Sequence, residues 1–314
     1  MSPALSDLRA AAARIADTAH RTPVLTSHSL NEMAGATLFF KCENFQKGGA
    51  YKFRGALNAV RQLTAEQSAR GVVTHSSGNH ATCLSLAARL HGIPAYIVVP
   101  SNAPLIKQRA ITAYGGQLTL CEPTLIARQA AADRIQRETG ATFIHPYDNP
   151  SVIAGQATVA LELFEQVPTL DALVAPVSGG GLLSGLCLAT HALAPNIQVW
   201  GAEPILADDA FRSLREGRLL PNANTATIAD GLRASLSERT FAIIREHASG
   251  IVTVTEEQII AAMRLVWERM KIIVEPSAAV PFAAVLAAPE KFRGKRVGIV
   301  LTGGNVDLGK LPWL

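Results

Sequence analysis

Two kinds of apolar segment alternate along this chain. Short runs rich in Val and Ile, namely Thr37 to Lys41, Gly71 to Thr74, Ala95 to Val99, Gln117 to Cys121, Leu173 to Val177, Gln198 to Ala202 and Arg296 to Leu301, read as strands. Most are followed by turn residues and then by Ala/Leu-rich segments at helical spacing, such as Phe53 to Leu63 and Ala81 to Leu90. Strands of this apolar character, each followed by a helix, predict parallel sheets covered on both faces. The fold class is therefore α/β, with doubly wound parallel sheets. Three compact strand-helix units occupy Gly71 to Asp148, whereas the Gly-rich turns at Ser178 and Thr302 belong to a second, longer sheet. The pattern predicts a small domain over 71–148, a large one over 1–70 and 149–314, and a ligand cleft between them at the carboxyl ends of the strands.

Composition narrows the class of function. The 314 residues are 48% hydrophobic and 17% charged, with 29 Lys plus Arg against 25 Asp plus Glu, so the basic excess is mild and scattered. No Lys/Arg run tracks a phosphate backbone, which makes nucleic acid an improbable partner. No uncharged apolar stretch approaches the ~20 residues of a membrane span. The start, Met1 to Arg14, carries Asp7 and Arg9 among alanines, unlike a signal peptide. Cys42, Cys83, Cys121 and Cys187 are scattered, with no C-x-x-C pair, which suits reduced thiols in a cytoplasm. The expectation is a cytoplasmic protein acting on a small molecule.

Four segments carry candidate chemistry. In Lys41 to Gly55 a lysine, Lys52, stands directly behind an aromatic residue at the start of the helix Phe53 to Leu63. Helix N-terminus and apolar surroundings both lower an amine pKa, and a neutral amine is what Schiff-base chemistry requires; an ordinary helix-start lysine has the same local sequence. Val177-Ser178-Gly179-Gly180-Gly181-Leu182, between a strand and a helix, can converge amides on an anion, or can be a tight turn. It lacks the G-x-G-x-x-G spacing of a nicotinamide site. A second turn, Leu301-Thr302-Gly303-Gly304-Asn305, offers a hydroxyl to a heteroaromatic nitrogen or a helix cap. Thr74 to His80 gathers hydroxyls, a carboxamide and backbone amides at a strand end, a set that can bind a carboxylate. Finally, Gly201 to Asp209 combines carboxylates and carbonyls suited to a hard cation such as Mg²⁺ or Ca²⁺, although as a bare pattern it reads first as a solvated acidic loop.

Taken together, these segments resemble the fold-type II pyridoxal-phosphate (PLP) enzymes, and most closely their serine racemase and serine/threonine dehydratase branch. The similarity runs from Phe45-Gln46-Lys47 through Thr74 to His80, Val152-Ile153-Ala154-Gly155-Gln156, Thr227 to Gly231, Trp267 to Lys271 and Glu275-Pro276 to Gly303 to Leu308. The resemblance implies a tryptophan synthase β-like architecture of two domains with the site in the cleft. It implies that Lys52 carries PLP as a Schiff base, that Tyr51 flanks the ring where the family usually has Phe, and that Asn79 bonds the phenolic oxygen. Ser178, Gly179, Gly180, Gly181 and Leu182 would hold the phosphate, and Thr302 would face the pyridine nitrogen as a neutral partner, which favours elimination over long-lived carbanion chemistry. Ser76, Ser77, Asn79 and His80 would grip the substrate carboxylate, with Arg128 nearby. Glu203, the carbonyl of Ala207 and Asp209 match the family's divalent-cation site for Mg²⁺, Ca²⁺ or Mn²⁺.

The implied activity is removal of water and ammonia from a 3-hydroxy amino acid, with Lys52 as the base. Ser77 keeps racemisation open, because racemases of the family use a serine there on the face opposite Lys52. Gly48-Gly49-Ala50-Tyr51 departs from the usual Thr-Gly-Ser-Phe, and the lost bulk is expected to admit a larger β-substituent, with 3-phenylserine a candidate beside serine, threonine and 3-hydroxyaspartate. The chain stops soon after Asp307, so the regulatory domain of long threonine dehydratases and feedback by isoleucine are not expected. Relatives are commonly homodimers, and the same is expected here.

Overall fold

The structure, a computed structural model, describes residues 2–313. Its strands are β1 (Val24–Leu25), β2 (Thr37–Cys42), β3 (Val72–His75), β4 (Ala95–Pro100), β5 (Gln117–Cys121), β6 (Thr142–Phe143), β7 (Ala172–Pro176), β8 (Gln198–Pro204), β9 (Gly250–Val254) and β10 (Arg296–Leu301). They form a six-stranded sheet in the order β1-β2-β10-β7-β8-β9 and a four-stranded sheet in the order β5-β4-β3-β6. Every pairing is parallel except β1 with β2. Strands β7 and β10 are buried almost throughout, as a strand covered on both faces must be.

Strand order explains where a ligand can sit. From β7 the large sheet winds outward through β8 to β9, and β10 then returns on the other side of β7; from β3 the small sheet winds through β4 to β5 and returns to β6. Each sheet thus has a switch point, between β7 and β10 and between β3 and β6, where connections leave to opposite faces and a crevice opens at the carboxyl ends. The loops of the first crevice begin at Val177 and Thr302, and those of the second at Ser76 and Ile144.

Seven strands lie where the apolar runs predicted them, with ends moved by a residue or two. Gly71 is not in β3; it ends the helix Ala65–Arg70 at φ +79°, where a Cβ would strike the Pro94 carbonyl oxygen at 2.3 Å. The helix from position 53 begins one residue earlier, at Lys52, and ends at Val60 rather than Leu63. Its tail tightens into i→i+3 bonds, from Gln62 N to Ala59 O and from Leu63 N to Val60 O. β1 and β6 are two-residue strands too short to show a period, and β9 is the edge strand of the large sheet.

A buried polar network fixes the Lys52 helix. Arg54 is fully buried; its Nε and Nη2 donate to Glu43 at 2.8 Å each, and its Nη1 and Nη2 donate to Glu162 at 2.6 and 2.8 Å. Lys41, also fully buried, donates to the same Glu162 at 2.7 Å and to Gln166 and the Thr22 carbonyl at 2.8 Å. Two cations thus meet two carboxylates, and the charges cancel inside the core. Replacing Arg54 with Met leaves both carboxylates facing Lys41 alone, so the expected loss in urea-unfolding free energy is about 3–5 kcal/mol. A loss under about 1 kcal/mol, at unchanged denaturant slope, contradicts this role.

Candidate active site

Lys52 opens its helix with Tyr51 as N-cap, and its Nζ donates a 2.8 Å hydrogen bond to the carbonyl of Pro146. No carboxylate bonds it. Burial lowers the amine pKa to about 8, against an ordinary lysine value near 10.5. The backbone on either side is pinned to β10's loop: Tyr51 N donates to the Thr302 carbonyl at 3.0 Å, and Ala50 bridges Gly303. Lys52 and buried Thr302 are therefore neighbours by main-chain bonding, although 250 positions of sequence separate them.

The segment after β6 joins Lys52 to the glycine turn. Tyr147 follows Pro146 and packs on the turn so closely that a Cβ on Gly179 would lie 2.4 Å from its ring, and one on Gly181 would lie 2.8 Å from its Cβ. Gly180, at φ +82°, is closed off on the other side by Leu236 and Thr240. Ser178 takes a left-handed φ of +53°, unusual for a residue with a side chain. Among the described residues the amides of Gly179, Gly181 and Leu182 have no main-chain partner, which leaves them free to converge on an anion. The helix Gly181–Leu193 starts there, adding the positive end of its dipole. The result is an anion cradle.

On the small-sheet side, Ser76 and Ser77 are half-buried in the loop after β3, and Asn79 begins the helix Asn79–Leu90. Asn79 Nδ2 donates to Glu275 at 2.7 Å, and its Oδ1 accepts from Asn305 Nδ2 at 2.9 Å. Asn305 also donates to the Gly48 carbonyl at 2.8 Å. Glu275 lies against Gly303, where a Cβ would meet its Oε1 at 2.5 Å. Burial raises its carboxyl to a pKa of about 8. His80 is buried, with Nε2 paired to the Ile144 carbonyl at 3.2 Å and Nδ1 unpartnered; desolvation holds its pKa well below the usual range. A neutral ring that donates from Nε2 has only an acceptor left at Nδ1, so it cannot donate to a carboxylate. The part of His80 that can do so is its backbone amide in the first turn. Arg128, on the helix Leu125–Thr139, keeps a buried Nε without a partner.

Glu275, Asn305 and Tyr147 were not assigned roles by sequence. Glu275 sits in a segment noted for its likeness alone, Asn305 ends a turn noted for its Thr302 hydroxyl, and Tyr147 follows a strand too short to be recognised. Of Gly48 and Ala50, the two positions where a hydroxyl is lost, Gly48 does not show the expected widening, and its neighbour Gly49 is equally tight. Both glycines have φ of +71°, and a Cβ would meet Cys83 Sγ at 3.0 Å at Gly48 and Asn305 at 2.5 Å at Gly49. The space is already filled.

Glu203 at the end of β8 and Asp209, at the start of the helix Asp209–Glu216, flank the short turn Ile205–Ala207. Each carboxylate accepts one amide, Glu203 from Phe211 and Asp209 from Leu236, both at 2.9 Å. The second oxygens, Glu203 Oε1 and Asp209 Oδ1, are buried without a partner. Burial raises both pKa values, that of Asp209 to about 6.

Comparison with known proteins decides the family: a sequence model described as pyridoxal-phosphate dependent enzyme matches residues 15–303. The chain belongs to this family. It is 52% identical over 311 residues to a β-hydroxyaspartate dehydratase of Paracoccus denitrificans (strain Pd 1222), covering 99% of each chain. It is also 52% identical over 305 residues to a serine racemase of Arabidopsis thaliana, covering 95% of this chain and 92% of that one. Among solved structures, maize serine racemase superposes with a TM-score of 0.96 at 45% identity, covering 98% of this chain and 95% of that one. A threonine deaminase from T.th. gives 0.93 at 44% identity, with 98% and 99% covered. The two-sheet α/β architecture is thus that of the fold-type II PLP enzymes, in the serine/threonine dehydratase branch.

The residues present fit PLP. The free amides of Gly179, Gly181 and Leu182 would hold its anionic tail, the desolvated Lys52 amine, which among the described residues has no carboxylate partner, would take its aldehyde, and Asn79 and Thr302 would border its ring. Because Tyr147 leaves no room for a methyl at Gly179, the Gly179→Ala enzyme is expected to purify with most of its PLP lost. Adding Tyr147→Ala to that variant should restore cofactor content, measured by absorbance after alkaline release. Full PLP occupancy in the single variant contradicts the packing described here.

Proposed function

We propose that this PLP enzyme is a dehydratase, an ammonia-lyase that removes water from a 3-hydroxy amino acid to leave a 2-keto acid and ammonia. The observation that carries the proposal is the desolvated Lys52 amine, held at Pro146 between an amide cradle and a buried neutral hydroxyl, Thr302. PLP, when bound, supplies an electron sink beside the substrate's α-carbon. Lys52 then serves as its attachment and as the base that takes the α-proton. The amides of Gly179, Gly181 and Leu182, with Ser178 and Gly180, hold the phosphate; Tyr51 flanks the ring and Asn79 bonds its oxygen. Ser76, Ser77, Asn79 and the His80 amide hold the substrate carboxylate, and Arg128 approaches from the small-sheet side. Water leaves from the β-carbon, and the released unsaturated amine takes water back to become keto acid and ammonia. Identity to a β-hydroxyaspartate dehydratase and likeness to a threonine deaminase support this reading. Serine, threonine and 3-hydroxyaspartate are the candidate substrates, with phenylserine beside them on the bulk lost at Ala50, since the space at Gly48 is filled.

Racemisation is the second reading, favoured by the Ser77 hydroxyl in the loop after β3 and by likeness to serine racemases. We also take Glu203, the Ala207 carbonyl and Asp209 as a Mg²⁺, Ca²⁺ or Mn²⁺ site, supported by the two orphaned carboxylate oxygens. The reading includes a small unit over 71–148 and a large one over 1–70 and 149–314, in a cytoplasmic homodimer. All four cysteines are free, and among the described residues no helix is long and apolar enough to cross a membrane.

Keto-acid release from both enantiomers of serine, threonine and 3-hydroxyaspartate tests the proposal. Turnover is expected with at least one of them and none with Lys52→Ala; enantiomer exchange without keto acid overturns it in favour of racemisation. Ser77→Ala should abolish any racemisation and spare elimination of one enantiomer. PLP capture by the apoenzyme should slow about tenfold per pH unit below the amine pKa of about 8, since only the neutral form reacts. A flat profile from pH 6 to 9 contradicts that value. Mg²⁺ should raise the melting temperature of the wild-type enzyme but not of Asp209→Asn; equal shifts remove the cation site.

A further inference from the structure

A second cavity lies at the far end of the helix whose start forms the cradle. It encloses about 280 Å³ and is lined by Cys187, Thr190 and His191 of the helix Gly181–Leu193 and by Glu246 and His247 of the helix Glu238–His247. From Gly181 to His191 the helix runs about 15 Å, so the cavity is separate from the active site. The imidazoles of His191 and His247 lie side by side and tilted, with centroids 4.5 Å apart and planes at 33°. His247 Nε2 lies 3.9 Å from a Glu246 carboxylate oxygen.

Two further features point to a ligand. Thr190, a lining residue, is 2% exposed, and among the described residues its buried Oγ1 has no hydrogen-bond partner. Both helices also end here, and their last carbonyls carry the negative end of the dipole, which favours a cation and opposes an anion. Imidazole nitrogens select borderline transition metals over Mg²⁺ or Ca²⁺, which prefer oxygen.

We propose that His191 and His247 bind a borderline divalent transition-metal ion such as Zn²⁺. Among the described residues no three His, Cys, Asp or Glu side chains converge to hold a metal. The protein therefore supplies two nitrogens and water completes the coordination. Glu246 sits beside the pair and offsets the metal's charge. The site is exchangeable and distinct from the oxygen-only site at Glu203 and Asp209.

Isothermal titration of the holoenzyme with ZnCl₂, in saturating Mg²⁺ to fill the oxygen site, tests this. One Zn²⁺ equivalent is expected, weakened at least about tenfold by His191→Gln and by His247→Gln, with PLP absorbance unchanged. His191 is exposed, so that variant should fold if the His247 one does not. Asp209→Asn should keep the Zn²⁺ equivalent. Unchanged Zn²⁺ binding in the folded His191→Gln enzyme overturns the proposal, as does loss of the equivalent to Mg²⁺ competition or in Asp209→Asn.

Discussion

The first turn of the helix Lys52–Val60 is tied down by one guanidinium spread across two carboxylates. Arg54 sits two residues beyond Lys52, bonded to Glu43 from the β2 side and to Glu162 from the helix Pro150–Gln166, with Lys41 sharing the second carboxylate. A helix start is ordinarily the part that frays; here it is locked by charges that cannot part without one being left uncompensated in the core. That rigidity matters because the lysine side chain itself is long and flexible. With its Cα held, the Nζ atom has one polar neighbour, the Pro146 carbonyl, and its amine stays near neutrality through desolvation.

The two sheets contribute in complementary ways. The large sheet presents main-chain groups at its switch point, the cradle amides after β7 and the Thr302 turn after β10. The small sheet presents side chains at its own, Ser76 to Asn79 after β3 and His145 to Tyr147 after β6. Tyr147 belongs to both, since it leaves the small sheet and packs against Gly179 and Gly181 of the large one. Some of the polar groups without partners among the described residues belong to the proposed cofactor, substrate and cation sites: the amides of Gly179, Gly181 and Leu182, Arg128 Nε, Glu203 Oε1 and Asp209 Oδ1. A buried orphan is costly, so a ligand at these positions would offset that cost.

Much of this was legible in the chain. Apolar runs such as Arg296 to Leu301 become strands because burial on both faces demands continuous hydrophobicity, and Lys52 and Ser178 to Leu182 are visible because strand, turn and helix follow one another locally. What could not be read is contact between distant segments. Glu275 gains its bond to Asn79 only when positions 196 apart in sequence meet, and its raised pKa only from burial in the folded chain. Gly48, where the family has Thr, suggested empty space, whereas Cys83 occupies it. His80 looked like a ligand for a carboxylate, yet its ring turns inward to Ile144. Tyr147 left no signal, because β6 is two residues long and shows no period.

The central claim is that the amine of Lys52, and no other, is the one that takes the cofactor. Borohydride reduction of the PLP-loaded enzyme, followed by proteolysis and mass spectrometry, reads this directly. The account predicts a single phosphopyridoxyl group on the peptide that contains Lys52. A label on Lys41, Lys47 or Lys107 instead, or no stable label at all, would contradict it.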